Sequence, residues 1–362
     1  MLLFDLTLRV LEDIDTAKIK HVAQVLIHLS KPSKQLDNDF RSREINDSAN
    51  ALSAHFNRIR QNALCLATKN SWHIQFSLPT TLPLVSIVIP TKDNKFLLQQ
   101  CLTSILNKTD YTNYEILIVD NGSVQDITLD YLLTLKSESR IRVIRDSYAF
   151  NYSALNNSAV ALAKGELVAF VNDDVEVSSP NWLSDMVAHA LRPGVGAVGA
   201  RLWYPDMKLQ HAGIVLAGGV ARHVHKFLPA GESGFNDRAV LTQNFSAITG
   251  ACMVVKKSLF ESVGGFNEIE LAIGFNDVDF CLRLLEAGYR NVWTPQAELF
   301  HHESATRGQD DAPDKQRRAE KEYRFMRERW GEKMEIDPAY NPNLTSGHDD
   351  FSLAWPPRVD TI

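Results

Sequence analysis

The spacing of apolar residues changes near residue 80. Before it, Val10, Leu11 and Ile14, then His21 to Leu29 and Phe40 to Leu66, recur at helical intervals, which predicts a helical appendage over residues 1–80. From Leu82-Pro83-Leu84 onward, short β-branched runs alternate with amphipathic segments, the pattern of a mostly parallel central sheet flanked by helices. Val85 to Ile89, Tyr114 to Val119, Ile141 to Ile144 and Leu167 to Val171 read as near-continuous apolar strands. Phe96 to Leu106, Ile127 to Leu135 and Ser153 to Ala163 lie between them with helical periodicity. Beyond about residue 195 the strands lose regularity, and a second α/β region runs to His302. Pro313 to Met334 is highly charged with Tyr323, Met326 and Trp330 on one face, so it reads as a surface helix docked by one stripe. The tail after Asp337, rich in Pro, Asn and Asp, reads as an extended wrap. The plan is thus an appendage over 1–80, an α/β domain over 81–308, and a helix with its tail over 309–362.

Composition narrows the function classes. A chain of 362 residues with 44% hydrophobic content suits a globular protein of one large domain with appendages, or of two domains. A formal net charge of -6 argues against a general nucleic-acid binder, which needs a concentrated basic face. The longest apolar stretches, Ile214 to Ala221 and Cys252 to Val255, fall short of the roughly 20 residues of a membrane span. Met1-Leu2-Leu3-Phe4-Asp5-Leu6 lacks the features of a secretory signal, so a cytoplasmic location is expected. Cys65, Cys101, Cys252 and Cys281 form no CxxC pair and read as buried free thiols.

The chemistry concentrates at strand ends. Phe170-Val171-Asn172-Asp173-Asp174-Val175-Glu176-Val177 carries an apolar strand straight into carboxylates, at the rim where open α/β sheets bind ligands. Mg²⁺ and Mn²⁺ take oxygen ligands, commonly one or two carboxylates with substrate phosphates, so the cluster suits a metal-bridged nucleoside diphosphate. A solvated acidic turn is the plain alternative. The first strand ends in Ile89-Pro90-Thr91-Lys92-Asp93 and the second in Val119-Asp120-Asn121-Gly122-Ser123. An acid there can accept hydrogen bonds from a base edge or ribose hydroxyls, and Gly122 permits a tight turn beside a ligand. Singly these are turns or caps; together they favour a nucleotide pocket.

Four further patterns carry candidate chemistry. Gly194, Gly196 and Gly199 spell G-x-G-x-x-G, but a helix precedes them and a strand follows, the reverse of the dinucleotide-binding order. Phe275-Asn276-Asp277-Val278-Asp279 opens a helix, where the acids suit the helix dipole and Asn276 suits a cap, or where Asp277 serves as a general base. His301-His302 closes a strand, and since neighbours on a strand face opposite ways, one ring at most points at a metal near Asp174, His301 being favoured. His211, His223 and His225 read as parts of an acceptor-side loop rather than a zinc site.

Taken in order, these segments resemble glycosyltransferase family two, the nucleotide-sugar transferases of the GT-A fold. The resemblance rests on Val88-Ile89-Pro90-Thr91-Lys92-Asp93, Val119 to Ser123, Phe150-Asn151-Tyr152-Ser153-Ala154-Leu155-Asn156-Asn157 and Asn172-Asp173-Asp174. It continues through Thr249-Gly250-Ala251-Cys252, Gly264-Gly265-Phe266, Asn276 to Asp279 with Arg283, and His301-His302-Glu303-Ser304, while the tail looks like bacterial members that build surface polysaccharides. The resemblance implies an inverting glycosyltransferase that moves a sugar from a nucleotide-diphosphate donor to a glycan hydroxyl in O-antigen or capsule synthesis. It places Pro90, Thr91, Asp93, Asp120, Asn121, Asn156, Asn172 and Asp173 on the donor side, and Gly250, Asn276 and Arg283 on the acceptor side. Asp277 would be the base, and Asp174 with one histidine, His301 or as the alternative His302, would hold Mg²⁺ or Mn²⁺. Expected partners are a UDP- or dTDP-sugar and a lipid-linked glycan acceptor, at a peripheral position on the inner membrane. Asn172 and Asn276 stand where the family usually has acids, which keeps a non-catalytic module that binds a partner enzyme or polysaccharide as the competing reading. A nucleotidyltransferase would want a glycine-rich loop after the first strand, and Thr91-Lys92-Asp93-Asn94-Lys95 has none.

Overall fold

The computed structural model describes residues 2–15, 18–23, 37–68, 71–302, 313–348 and 350–357. The amino-terminal segment forms helices Leu2–Asp13 (α1) and Asp37–Arg58 (α2), then an antiparallel hairpin of Ala63–Ala67 (β1) and Trp72–Phe76 (β2). The periodicity of Phe40 to Leu66 is therefore helical only as far as Arg58, and the last residues pair as a strand instead. Most of the His21 to Leu29 stretch lies outside the described residues. Glu12 ties α1 to α2, accepting from Arg58 Nη2 at 2.7 Å and lying 2.7 Å from His55 Nδ1.

The strand-and-helix alternation appears as read. It comprises Val85–Thr91 (β3), Lys95–Lys108 (α3), Tyr114–Asp120 (β4), Asp126–Thr134 (α4), Ile141–Arg145 (β5), Tyr152–Leu162 (α5) and Leu167–Val171 (β6). Strands β5, β4, β3 and β6 lie side by side, all parallel. Every residue of β3, β4 and β6 is buried, as expected for strands covered on both faces. Ile87 and Ile89 face Leu98, Cys101 and Leu102 of α3, whereas Val88 and Val119 join Leu155 and Ala159 of α5 in a second core on the opposite face.

Next come Val175–Val177 (β7), Trp182–Ala190 (α6), Val195–Trp203 (β8), Leu209–His211 (β9) and the hairpin Ile214–Ala217 (β10) with Val220–His223 (β11). Gln243–Phe245 (β12), Cys252–Lys256 (β13), Lys257–Ser262 (α7), Asn276–Glu286 (α8), Arg290–His301 (β14) and Pro313–Glu335 (α9) complete the order. The sheet continues past β6 through antiparallel β13 to β8 and β14, which are parallel to each other, and to β12, antiparallel to β14. Gly196 and Gly199 lie inside β8, where a Cβ on Gly199 would come within 2.8 Å of Ile248, so these glycines serve packing. The cysteines are free, with Cys101, Cys252 and Cys281 buried.

Helix α9 docks through Met326, Trp330 and Met334, all buried, and Trp330 Nε1 donates to Asp279 of α8 at 2.9 Å. The tail is pinned by Asp337, whose carboxylate accepts from Ser246 Oγ at 2.5 Å and from Leu216 N at 2.6 Å. No described helix is long and apolar enough to cross a membrane.

Candidate active site

The turn Asn172-Asp173-Asp174 joins β6 to β7, closed by Val175 N donating to Asn172 O at 3.3 Å. Within so tight a turn, neighbouring carboxylates part company. Asp173 leans toward β3, accepting from Thr91 Oγ1 at 2.7 Å and from Asn94 Nδ2 at 3.3 Å. Asp174 leans the other way, with its Oδ1 3.1 Å from His301 Nε2 at the end of β14. Each carboxylate is 7% exposed, so both are screened from bulk water yet open to the rim. Their charge reaches Cys101, whose thiol is pushed well above its ordinary range, first by burial and then by Asp173 and Asp174.

The donor-side residues divide into those at the rim and those turned inward. Asp120 accepts from Ser123 N and Arg145 Nη1, both at 2.9 Å, which fixes the end of β4. Asp93 adopts φ 49° and its Oδ1 accepts from Val124 N and Gln125 N at 2.8 Å, binding the ends of β3 and β4 together ahead of α4. Pro90 is a buried residue of β3. Asn121 donates to Asp146 O and Tyr148 O at 3.0 Å, bracing the chain after β5. Asn156 is fully buried in α5, where its Nδ2 donates to Tyr152 O.

Across the rim, Gly250 N donates to Asp277 Oδ2 at 2.8 Å, which sets that carboxylate beside the start of β13. Val278 N donates to its Oδ1 at 2.8 Å. The cap of α8 is Phe275, held at φ 58°, and not Asn276, which is buried and donates to Ile273 O. Arg283 turns away from the rim, bonding Asp279 at 2.8 Å and the carbonyls of Val263 and Gly265. It lines a cleft of about 420 Å³ with Glu268 and Arg329 that holds none of the rim acids. Its placement on the acceptor side therefore lacks a direct contact with Asp277. Tyr152, to which the sequence assigns no role of its own, brings Asn172 and the segment before β13 together: its hydroxyl lies 3.2 Å from Asn172 Oδ1 and 3.0 Å from Gly250 O.

The two adjacent histidines separate as strand alternation requires. His301 meets Asp174, whereas His302 Nε2 lies 3.3 Å from Gln100 Nε2 and 3.6 Å from Glu176 Oε2. Of the two rings, His301 is the one directed at the Asp174 carboxylate, and the ring of His302 lies beside Glu176. Among the described residues no group of three or more His, Cys, Asp or Glu side chains converges as a metal cage. The pair still fits a divalent cation. Its 3.1 Å separation is close to that of neighbouring ligands on an octahedron with bonds of about 2.1 Å. A cation with few protein ligands takes the rest of its shell from phosphate oxygens and water. His211, His223 and His225 form no such site. His211 Nδ1 lies 3.0 Å from His223 Nδ1, burial first and His223 next drive the His211 imidazole well below its ordinary range, and His225 packs at a tilt against Phe351.

The profile described as glycosyl transferase family 2 matches residues 86–264. The chain is 46% identical over 360 residues to an uncharacterised protein, y4gI, of Sinorhizobium fredii, covering 98% of this chain and 40% of that one. It is 36% identical over 359 residues to the O-antigen biosynthesis protein RfbC of Myxococcus xanthus, covering 98% and 28% respectively. The chain thus spans less than half the length of these relatives. Among solved structures, that of GalNAc-T7 with UDP, GalNAc and Mn²⁺ matches at a TM-score of 0.55 and 16% identity, over 72% of this chain and 52% of that one, a likeness of fold. With the rim acids at the ends of a parallel half-sheet, the family profile and this shared architecture, residues 86–264 form a glycosyl transferase family 2 domain with the GT-A fold.

Proposed function

We propose that the chain transfers a sugar, with inversion, from a nucleoside diphosphate donor to a glycan hydroxyl in the synthesis of a bacterial surface polysaccharide. The observation that carries this reading is the convergence on one rim of Asp173, the Asp174–His301 pair and Asp277. In it, residues 81–308 are the catalytic domain, with 1–80 and 309–362 as supports. Thr91, Asp93 and Asp120 lie toward the nucleoside, and Asp173 toward ribose and diphosphate. Asp277 takes the proton of the acceptor hydroxyl as that oxygen bonds to the anomeric carbon, and the bond from that carbon to the diphosphate breaks on the opposite face. The bond from Gly250 N holds the Asp277 carboxylate in place for this role. Asp174 and His301 would hold Mg²⁺ or Mn²⁺, which when bound offsets the charge growing on the leaving diphosphate.

The relatives named for O-antigen and, in Escherichia coli, colanic acid biosynthesis support a polysaccharide product. A UDP- or dTDP-sugar donor and a lipid-linked acceptor at the cytoplasmic face of the membrane complete the reading. Its test is Asp277→Asn. The variant should bind nucleoside diphosphate as the wild type does in calorimetry and lose turnover by on the order of 10²-fold or more, the contribution of a general base. Near-normal transfer by this variant removes Asp277 from the mechanism.

A further inference from the structure

We propose that Gln210 is a positioning residue that makes His301 a metal ligand, by holding its ring in the tautomer whose Nε2 lone pair faces Asp174. The inference rests on the metal-assisted reading above. Gln210 lies in β9, 3% exposed, and grips His301 at two points. Its Nε2 donates to His301 O at 3.3 Å, and its Oε1 lies 2.7 Å from His301 Nδ1. The first contact fixes the amide with its oxygen toward the ring. An amide oxygen only accepts, so the proton of the second contact sits on Nδ1. In a neutral imidazole the other nitrogen is then an acceptor, and here it lies 3.1 Å from Asp174 Oδ1. Two acceptors in that relation are drawn together by a cation. Partners on the far nitrogen of a metal-binding histidine set ring orientation and basicity, and losing one typically weakens metal binding by about 10- to 100-fold.

Gln210 is 91 residues from His301 in sequence and follows an apolar residue in a short strand, so no sequence pattern marks it. Its neighbour His211 occupies the adjacent buried position, and burial keeps that imidazole neutral, so no second positive charge is imposed there.

The test uses Mn²⁺ titrated into the full chain in the presence of UDP, with free Mn²⁺ followed by electron paramagnetic resonance. Gln210→Met and Gln210→Ala remove the acceptor, Gln210→Glu keeps one, and Asp174→Asn is the control for the site itself. Thermal midpoints of the metal-free variants identify which acceptor-less variant keeps the wild-type fold, and that variant is the one compared. It should bind Mn²⁺ about 10- to 100-fold more weakly and lose the ¹⁴N coupling that a bound imidazole gives in pulsed spectra. Gln210→Glu should retain both. Wild-type affinity and ¹⁴N coupling in the acceptor-less variant, with Asp174→Asn impaired, overturn the inference and leave the metal reading standing. Absence of Mn²⁺ binding by the wild type overturns the metal reading, and the inference with it.

Discussion

The divergence of Asp173 and Asp174 follows from a turn three residues long, and it lets adjacent side chains serve different parts of one ligand. Asp173 owes its direction to Thr91 Oγ1, a contact between residues 82 apart in sequence. Thr91→Val should therefore cost about 1–3 kcal/mol in urea unfolding, the scale of a buried polar group that loses a partner. On the proposed function it should also weaken binding of UDP by calorimetry, and unchanged affinity would show that Asp173 does not depend on Thr91. The acids were legible in the sequence because carboxylates at strand ends carry chemistry by residue type alone. Tyr152 and Gln210 were not, because a tyrosine in a helix and a glutamine in a strand acquire their roles only from long-range contacts. Asn156 shows the converse: it lies in a segment of the family pattern, yet the face of α5 it occupies points into the core.

Among the elements, α8 decides where Asp277 sits, and Asp279 decides where α8 sits. Asp279 is 1% exposed and joins Arg283 of its own helix to Trp330 of α9. Asp279→Ala leaves the buried Trp330 indole without its acceptor and the half-buried Arg283 guanidinium with only the carbonyls of Val263 and Gly265, and should destabilise the chain by about 1–3 kcal/mol in urea unfolding. A loss under about 1 kcal/mol would mean that the Asp279 bridge does not hold α9 in place. Strands β3 to β6 and helices α3 to α5 were readable because each is specified by its own local periodicity. The path through β13, β8, β14 and β12 was not, because antiparallel partners far apart in sequence leave no mark on local spacing. The β1–β2 hairpin was missed for a related reason: Ala63 to Ala67 are as apolar as a helix face, and only pairing with Trp72 to Phe76 settles their conformation.

Over the whole molecule, buried imidazoles set the response to acid. Burial pushes His189 down to about 4, outweighing the upward pull of Asp185, with Arg192 and His73 adding to the depression. His225 is likewise pushed down to about 4, by burial and then Arg238. Both folded values lie below the ordinary 6.5, so between pH 6.5 and 4 the unfolded chain binds more protons than the folded one. Stability is then full above pH 6.5 and lost as pH falls toward 4. The thermal midpoint should drop over that window, and His189→Gln should shallow the drop; a midpoint unchanged from pH 7 to 4.5 would contradict the assignment. His189 packs against Phe76 of β2 at 5.1 Å between ring centroids, so acid acts where the amino-terminal segment meets α6.

The central claim is that one rim of this sheet holds a nucleoside diphosphate with a divalent cation. Calorimetric titration of UDP, dTDP and GDP, each with Mn²⁺ or with chelator, tests it most directly on wild type and Asp174→Asn. Metal-dependent binding of UDP or dTDP by the wild type, lost in Asp174→Asn, is the result expected. Absence of binding with every nucleotide and metal would contradict the account, leaving a GT-A module that binds a partner or polysaccharide without catalysis.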